Sequence, residues 1–159
     1  MPQDQLQQQQ AEQLRPKVGL GVFIIKDGKV LVGKRKSSHG DGEYSLPGGH
    51  LEYMESFADC ARREVLEETG IEITDIEYMC TINLTAYAPR HYVAICMRAT
   101  WLRGEPQVLE PDRTYDWIWC DIDAVPQPHY RALTHYIEAY TTGRTCFDIQ
   151  STTSPFENK

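Results

Sequence analysis

The feature that most limits what this chain can fold into is a helix with marked ends and a polar face made of carboxylate. Ser56 can cap its start, Asp59 three residues on is a short version of the capping-box partner, and Gly70 closes the run, predicting a helix over 56–69. Inside it, "REVLEETG" at 63–70 places Glu64, Glu67 and Glu68 at i, i+3 and i+4, so the three project from one side beside an apolar stripe of Ala58, Ala61 and Val65. Like charges at these spacings cost about 0.2–0.5 kcal/mol per pair, so local stability does not explain the pattern. Carboxylate oxygens on a rigid element suit a hard divalent cation such as Mg²⁺, held at about 2.0–2.1 Å with water and substrate oxygens completing an octahedron. A solvated acidic face explains most such patterns on helices, so three glutamates alone decide nothing.

The elements around this helix are punctuated just as clearly. "KVGLGVFIIK" and "KVLVGKR" flank Asp27-Gly28, a dipeptide suited to a two-residue hairpin turn. "EYSLPGGHLEY" holds short extended pieces around Pro47-Gly48-Gly49. After the helix, "IEITDIEYMCTINLT", "HYVAICMRATWL" and "YDWIWCDI" read as strands, and "PHYRALTHYIEAYTTG" reads as a last helix stopped by Gly143. This order argues for an α/β (α+β) fold with a mixed sheet and helices on its faces. Residues 1–15, rich in glutamine, are expected to be a disordered tail, 16–149 a single domain, and 150–159 a flexible C-terminal tail.

Composition narrows the function classes. With 159 residues, 41% apolar and 25% charged, the chain has the make-up of one folded domain. A formal charge of −7 disfavours long nucleic-acid backbones and means that a small anionic substrate needs a metal's help. Five cysteines without a CxxC pair suit buried or half-buried reduced thiols in the cytosol, so a cytoplasmic location is expected. The longest strongly apolar run, 18–25, is too short to span a bilayer, and the N-terminus is polar rather than signal-like.

The wider spacing settles the weight of the glutamates. Gly49, Glu55, Arg63, Glu64, Val65, Glu67, Glu68, Gly70 and Ile71 match a 23-residue box, a coincidence on the order of 10⁻⁶ by residue usage. This box resembles the signature of the nudix hydrolases. "GKRKSS", "LPGGHLEY", "HYVAI" and "EPDRTYDWIWCDIDAVP" extend the likeness to the small MutT-like nucleotide diphosphatases over roughly residues 17–140. Met54 departs from the glycine that close relatives often carry before the first box glutamate.

The resemblance implies a nudix-type α/β/α sandwich with a mixed central sheet and a loop-helix-loop catalytic motif. It also implies hydrolysis of a nucleoside diphosphate linked to a group X, with Mg²⁺, or Mn²⁺ as a substitute, carried on the box helix. Glu64, Glu67, Glu68 and Arg63 would form the catalytic set; Gly48, Glu64, Glu67 and Glu68 the metal set; and Arg35, Gly49 and His50 the substrate contacts. Within these sets Glu64 and Glu68 are the main metal ligands, Glu67 a further ligand or the base, and Arg63 pairs with Glu55 to fix the loop against the helix. Glu110 or Asp112 is a candidate distal carboxylate. Tyr87, Tyr92, Trp117 and Trp119 stack on a base or belong to the core.

The leading expectation is conversion of a nucleoside triphosphate, oxidised ones such as 8-oxo-dGTP included, to a monophosphate and pyrophosphate, as in nucleotide-pool sanitation. ADP-ribose, a dinucleotide, capped RNA or an isoprenyl diphosphate are the alternatives, because the box reads only the diphosphate. A non-catalytic nucleotide-binding module is the alternative from another class; it would be expected to lose box glutamates, and all are present here. Similar small diphosphatases are commonly homodimers, which is the expected state, without a membrane or long nucleic-acid partner.

Overall fold

The computed structural model describes residues 3–149 of the chain. Strands β1 (Lys17–Lys26) and β2 (Lys29–Arg35) form the hairpin, with Asp27 at φ 50° and Gly28 at φ 76°, the positive pair that a two-residue primed turn needs. Two short strands follow, β3 (Tyr44–Ser45) on β2 and β4 (Gly48–His50) on β1. Helix α2 (Phe57–Thr69) then leads to β5 (Glu72–Leu84), β6 (Tyr92–Arg103), β7 (Thr114–Asp121), α3 (Arg131–Thr142) and β8 (Cys146–Ile149). The eight strands form one mixed sheet with the path β3-β2-β1-β6-β5-β8, β4 adding to β1 and β7 to β2. The β1–β6 and β5–β8 pairs are parallel and the other pairs antiparallel.

Alternation along the strands assigns the two faces. Leu20, Val22, Ile24 and Leu31 join Cys60, Ala61 and Val65 of α2 in one buried layer. Phe23, Val30 and Val32 join Ala132, Leu133, Tyr136 and Ala139 of α3 in the other. This is the helix–sheet–helix arrangement that the sequence predicts.

Helix α2 has the expected ends. Ser56 Oγ accepts from the Asp59 N–H at 3.1 Å, and Gly70, at φ 74°, donates its N–H to Leu66 O. The reciprocal half of the cap is remade: the Asp59 carboxylate accepts a 2.7 Å hydrogen bond from the Ser56 hydroxyl in place of the cap's own N–H.

Three readings of the sequence need amendment. Residues Gln3–Gln13, expected as a disordered tail, form helix α1, because Gln, Leu, Ala and Glu are good helix formers and the span has no glycine or proline. Its described side chains are exposed, Leu6 at 44%. Strand β8 has no counterpart in the predicted elements. Cys146 is exposed, whereas Cys60, Cys80 and Cys96 are buried and Cys120 is half-buried; all five thiols are free. The tail expected at 150–159 lies outside the described residues. No helix among the described residues is long and apolar enough to cross a membrane.

Candidate active site

Two glycines let helix α2 press its carboxylates against strand backbone. Gly48 and Gly49 of β4 pair with Gly21 and Leu20 of β1. A Cβ on Gly48 would lie 2.0 Å from Leu20 O, and one on Gly49 would lie 2.3 Å from Glu64 Cδ. Gly48 has no room for a side chain against the β1 backbone, and a side chain at Gly49 would have to push the Glu64 carboxylate aside.

The three box glutamates do not behave alike. Glu64 and Glu68 face inward at 8% and 9% exposure, while the Glu67 side chain stands out at 52%. At i+3 from Glu64, Glu67 has turned away from the strand that its neighbours touch. The Gly48 N–H donates to Glu68 Oε2 at 3.0 Å. Burial pushes the Glu68 carboxyl up to about 8, the Gly48 hydrogen bond opposes that rise, and the charges of Glu64 and Glu110 add to it.

Arg63 organises the outer side as the sequence predicts. Its Nε and Nη2 donate to the two oxygens of Glu55 at 2.7 and 2.9 Å, a bidentate fork. Its Nη1 donates to Glu64 Oε1 at 2.7 Å and to Glu67 Oε2 at 3.4 Å, and Nη2 also reaches His50 O at 3.2 Å. The Arg63 hydrogen bonds hold the Glu55 carboxyl down to about 2. One guanidinium thus ties the loop at Glu55 and His50 to the helix face.

As these side chains stand, no three His, Cys, Asp or Glu groups converge for a metal among the described residues. Glu64 is turned to Arg63 and Glu68 to Gly48. The donors still fit Mg²⁺, which is held by one or two carboxylates and draws its other oxygens from water and substrate phosphate. A further carboxylate stands near. The loop after β6 is pinned to the end of α2 by the Gln107 N–H on Thr69 O at 2.9 Å. Its Glu110 has a buried Oε2 with no hydrogen-bond partner, 3.7 Å from Arg113 Nη1. Asp112, the other candidate, is exposed.

From this corner a cleft of 360 Å³ runs past Gly49 and His50 toward Arg35 and Tyr130. His50 Nε2 lies 3.3 Å from the Tyr92 hydroxyl at the cleft. Arg35 donates from Nε and Nη2 to His39 O at 3.3 and 3.2 Å, and its guanidinium lies 4.3 Å over the Tyr130 ring. Tyr130 stacks on Tyr87 at 4.9 Å, and the His39 ring meets Tyr87 edge-on at 4.1 Å. Trp117 lines the cleft, whereas Trp119 sits in the α2 layer near Lys26. His39, Arg90, Arg113 and Tyr130 are cleft residues that the sequence does not flag. They come from separate loops and element ends, and no spacing along the chain announces that they meet.

Comparison with known proteins agrees with this architecture. A NUDIX domain model matches residues 15–140. An oxidized purine nucleoside triphosphate hydrolase of Danio rerio is 29% identical over 106 residues, which cover 66% of this chain and 66% of that protein. An NAD-capped RNA hydrolase, NudC, of Pseudomonas aeruginosa PAO1 is 31% identical over 126 residues, 78% of this chain but 44% of that protein. The crystal structure of a MutT NUDIX hydrolase from Burkholderia pseudomallei superposes with a TM-score of 0.74 at 35% identity, covering 79% of this chain and 98% of that one.

Proposed function

The chain belongs to the NUDIX domain family, and on that premise we propose that it hydrolyses a phosphoanhydride bond of a nucleoside triphosphate, giving a monophosphate and pyrophosphate. The observation that carries this reading is the pair of inward carboxylates, Glu64 and Glu68, set against Gly48 and Gly49 where the cleft begins. The Danio rerio relative, named for oxidised purine nucleoside triphosphates, supports the substrate class.

In this reading Glu64, Glu68 and the Gly48 carbonyl would hold Mg²⁺, with Mn²⁺ as a substitute, which when bound would supply charge neutralisation and Lewis acidity. Arg63 keeps Glu64 in place from behind and holds the loop that carries His50. Glu67, standing toward solvent, is a further ligand or takes the proton of the attacking water. Gly49 and His50 border the path of the phosphates, and Arg35 directs its remaining N–H groups at the substrate. Chemistry of this kind rests on alignment and charge stabilisation, so it needs no Ser or Cys nucleophile.

A second reading keeps the site and changes X to a dinucleotide, favoured by the NAD-capped RNA hydrolases among the relatives. The deciding experiment is a Mg²⁺-dependent screen of the pure protein over dGTP, 8-oxo-dGTP, the other nucleoside triphosphates, ADP-ribose, NADH and geranyl diphosphate, with products separated by chromatography. A triphosphate should yield monophosphate and pyrophosphate, and Glu68→Gln should lower its turnover by at least about a hundredfold. Preference for NADH selects the second reading, and silence on every compound sinks both.

A further inference from the structure

Basic groups outnumber acidic ones in the cleft of an otherwise acidic protein. Arg35, Arg90 and Arg113 line it against one carboxylate, Glu68, while the chain carries a formal charge of −7. Arg113 is answered by Glu110 at 3.7 Å. Arg35 and Arg90 are not answered: none of the ion pairs among the described residues includes either one. The Glu43 carboxylate, outside the cleft lining, accepts from the Tyr87 hydroxyl at 3.5 Å; its Oε2 and Arg35 Nε flank the same point beside Gly40, 2.6 and 3.2 Å from where a Cβ would stand, without forming an ion pair, so Arg90 is the less screened of the two arginines.

The two arginines act on one place. Burial first, then Arg90 and Arg35, hold the His39 imidazole below its ordinary range, so the ring adds no positive charge of its own at neutral pH. Arg35 is fixed by its bonds to His39 O and by Tyr130 beneath it, which leaves Nη1 uncommitted. Arg90 is held beside Tyr87 by its backbone N–H, which donates to Tyr87 O at 2.9 Å, and its exposed side chain reaches the cleft. Unanswered guanidiniums in a concave wall focus a field on an anion, and their planar forks match phosphate oxygens. In the proposed function the diphosphate to be cut would be held at the carboxylate corner through a cation. This wall therefore addresses a different charge.

We propose that Arg90, together with Arg35, forms a subsite for a phosphate beyond the two joined by the scissile bond. Its source is the terminal phosphate of a triphosphate or a phosphate carried on X. The inference rests on the hydrolase reading of the same cleft and names the substrate class that cleft prefers.

Two pairs of compounds, each differing by one phosphate, test it: GTP against GDP, and NADPH against NADH. Each is measured twice, as kcat/KM with Mg²⁺ and as calorimetric Kd in EDTA, on the wild type, Arg90→Gln, and Arg98→Gln, whose arginine pairs with Glu77 outside the cleft. Loss of one charge-assisted hydrogen bond is worth roughly tenfold or more. The expected result is at least a tenfold preference, by that measure, for the phosphate-richer member of one pair, collapsing in Arg90→Gln and kept in Arg98→Gln. The first pair assigns the phosphate to a triphosphate chain, the second to X. Equal treatment of both pairs by the wild type, a preference that survives Arg90→Gln, or equal loss in both variants overturns the subsite. Arg90-dependent binding preference without turnover keeps the subsite and removes the hydrolase reading; turnover without preference does the reverse.

Discussion

Glu68 combines two demands that oppose each other in the absence of a cation: it is 9% exposed, and the metal-holding role proposed for it calls for a charged carboxylate. Its carboxyl, raised by burial from 4.5 to about 8, keeps a proton in the folded state that the unfolded chain has already released. Between those values the native state binds more protons, so its stability falls as pH rises from about 4.5 to about 8 and is highest below that window. In EDTA the melting temperature should fall across this window more steeply for the wild type than for Glu68→Gln; parallel curves would remove the buried proton. Gly49 sets the other limit at this scale. A methyl group there would lie 2.3 Å from Glu64 Cδ, so Gly49→Ala must displace the Glu64 carboxylate or the strand. The variant should lose about 1–3 kcal/mol in denaturant unfolding through overpacking and at least about tenfold in kcat through the displaced carboxylate. Unchanged kcat would mean that the position of Glu64 is immaterial to turnover.

Helix α2 shows what separates local from long-range information. Its cap, its C-terminal glycine and its glutamate spacing are all written within a few residues of one another, and each appears where the sequence puts it. The hairpin turn at Asp27-Gly28 is equally local. Strand β8 escapes because four residues, Cys146–Ile149, give too short a pattern, and only pairing with β5 makes them a strand. In the site, the identity of the glutamates follows from spacing, but the outward turn of Glu67 depends on where β4 presses the helix. Arg90, His39 and Tyr130 meet only through the sheet order, which no short window contains. The cap also separates stability from catalysis. Ser56→Ala removes the hydroxyl that accepts from Asp59 N–H at the first turn of α2. It should cost about 1 kcal/mol in denaturant unfolding and leave kcat within about twofold, because the proposed metal-holding Glu64 and Glu68 sit about two and three turns further along. A large loss of turnover with unchanged stability would tie the cap to the chemistry instead.

At the scale of the whole molecule, stability comes from two apolar layers on a shared sheet, and among the described residues neither includes one before Leu20. The cleft likewise begins at Gly19. Helix α1 therefore stands apart from what holds the fold and from what lines the site. Its described side chains are exposed, its one leucine, Leu6, is 44% exposed, and a helix of eleven residues whose described side chains do not pack is of marginal stability on its own. Removing residues 1–14, ahead of Arg15, should then change unfolding by no more than about 0.5 kcal/mol, the range of surface changes, and move the melting temperature by about 2 °C or less. Turnover of whichever substrate the screen identifies should be unchanged, since no described side chain of α1 lines the cleft. Calorimetric melts of the full and shortened chains, run together, make the comparison. A fall well beyond that range would show that α1 docks on the sheet in solution, and a loss of turnover alone would place it over the cleft.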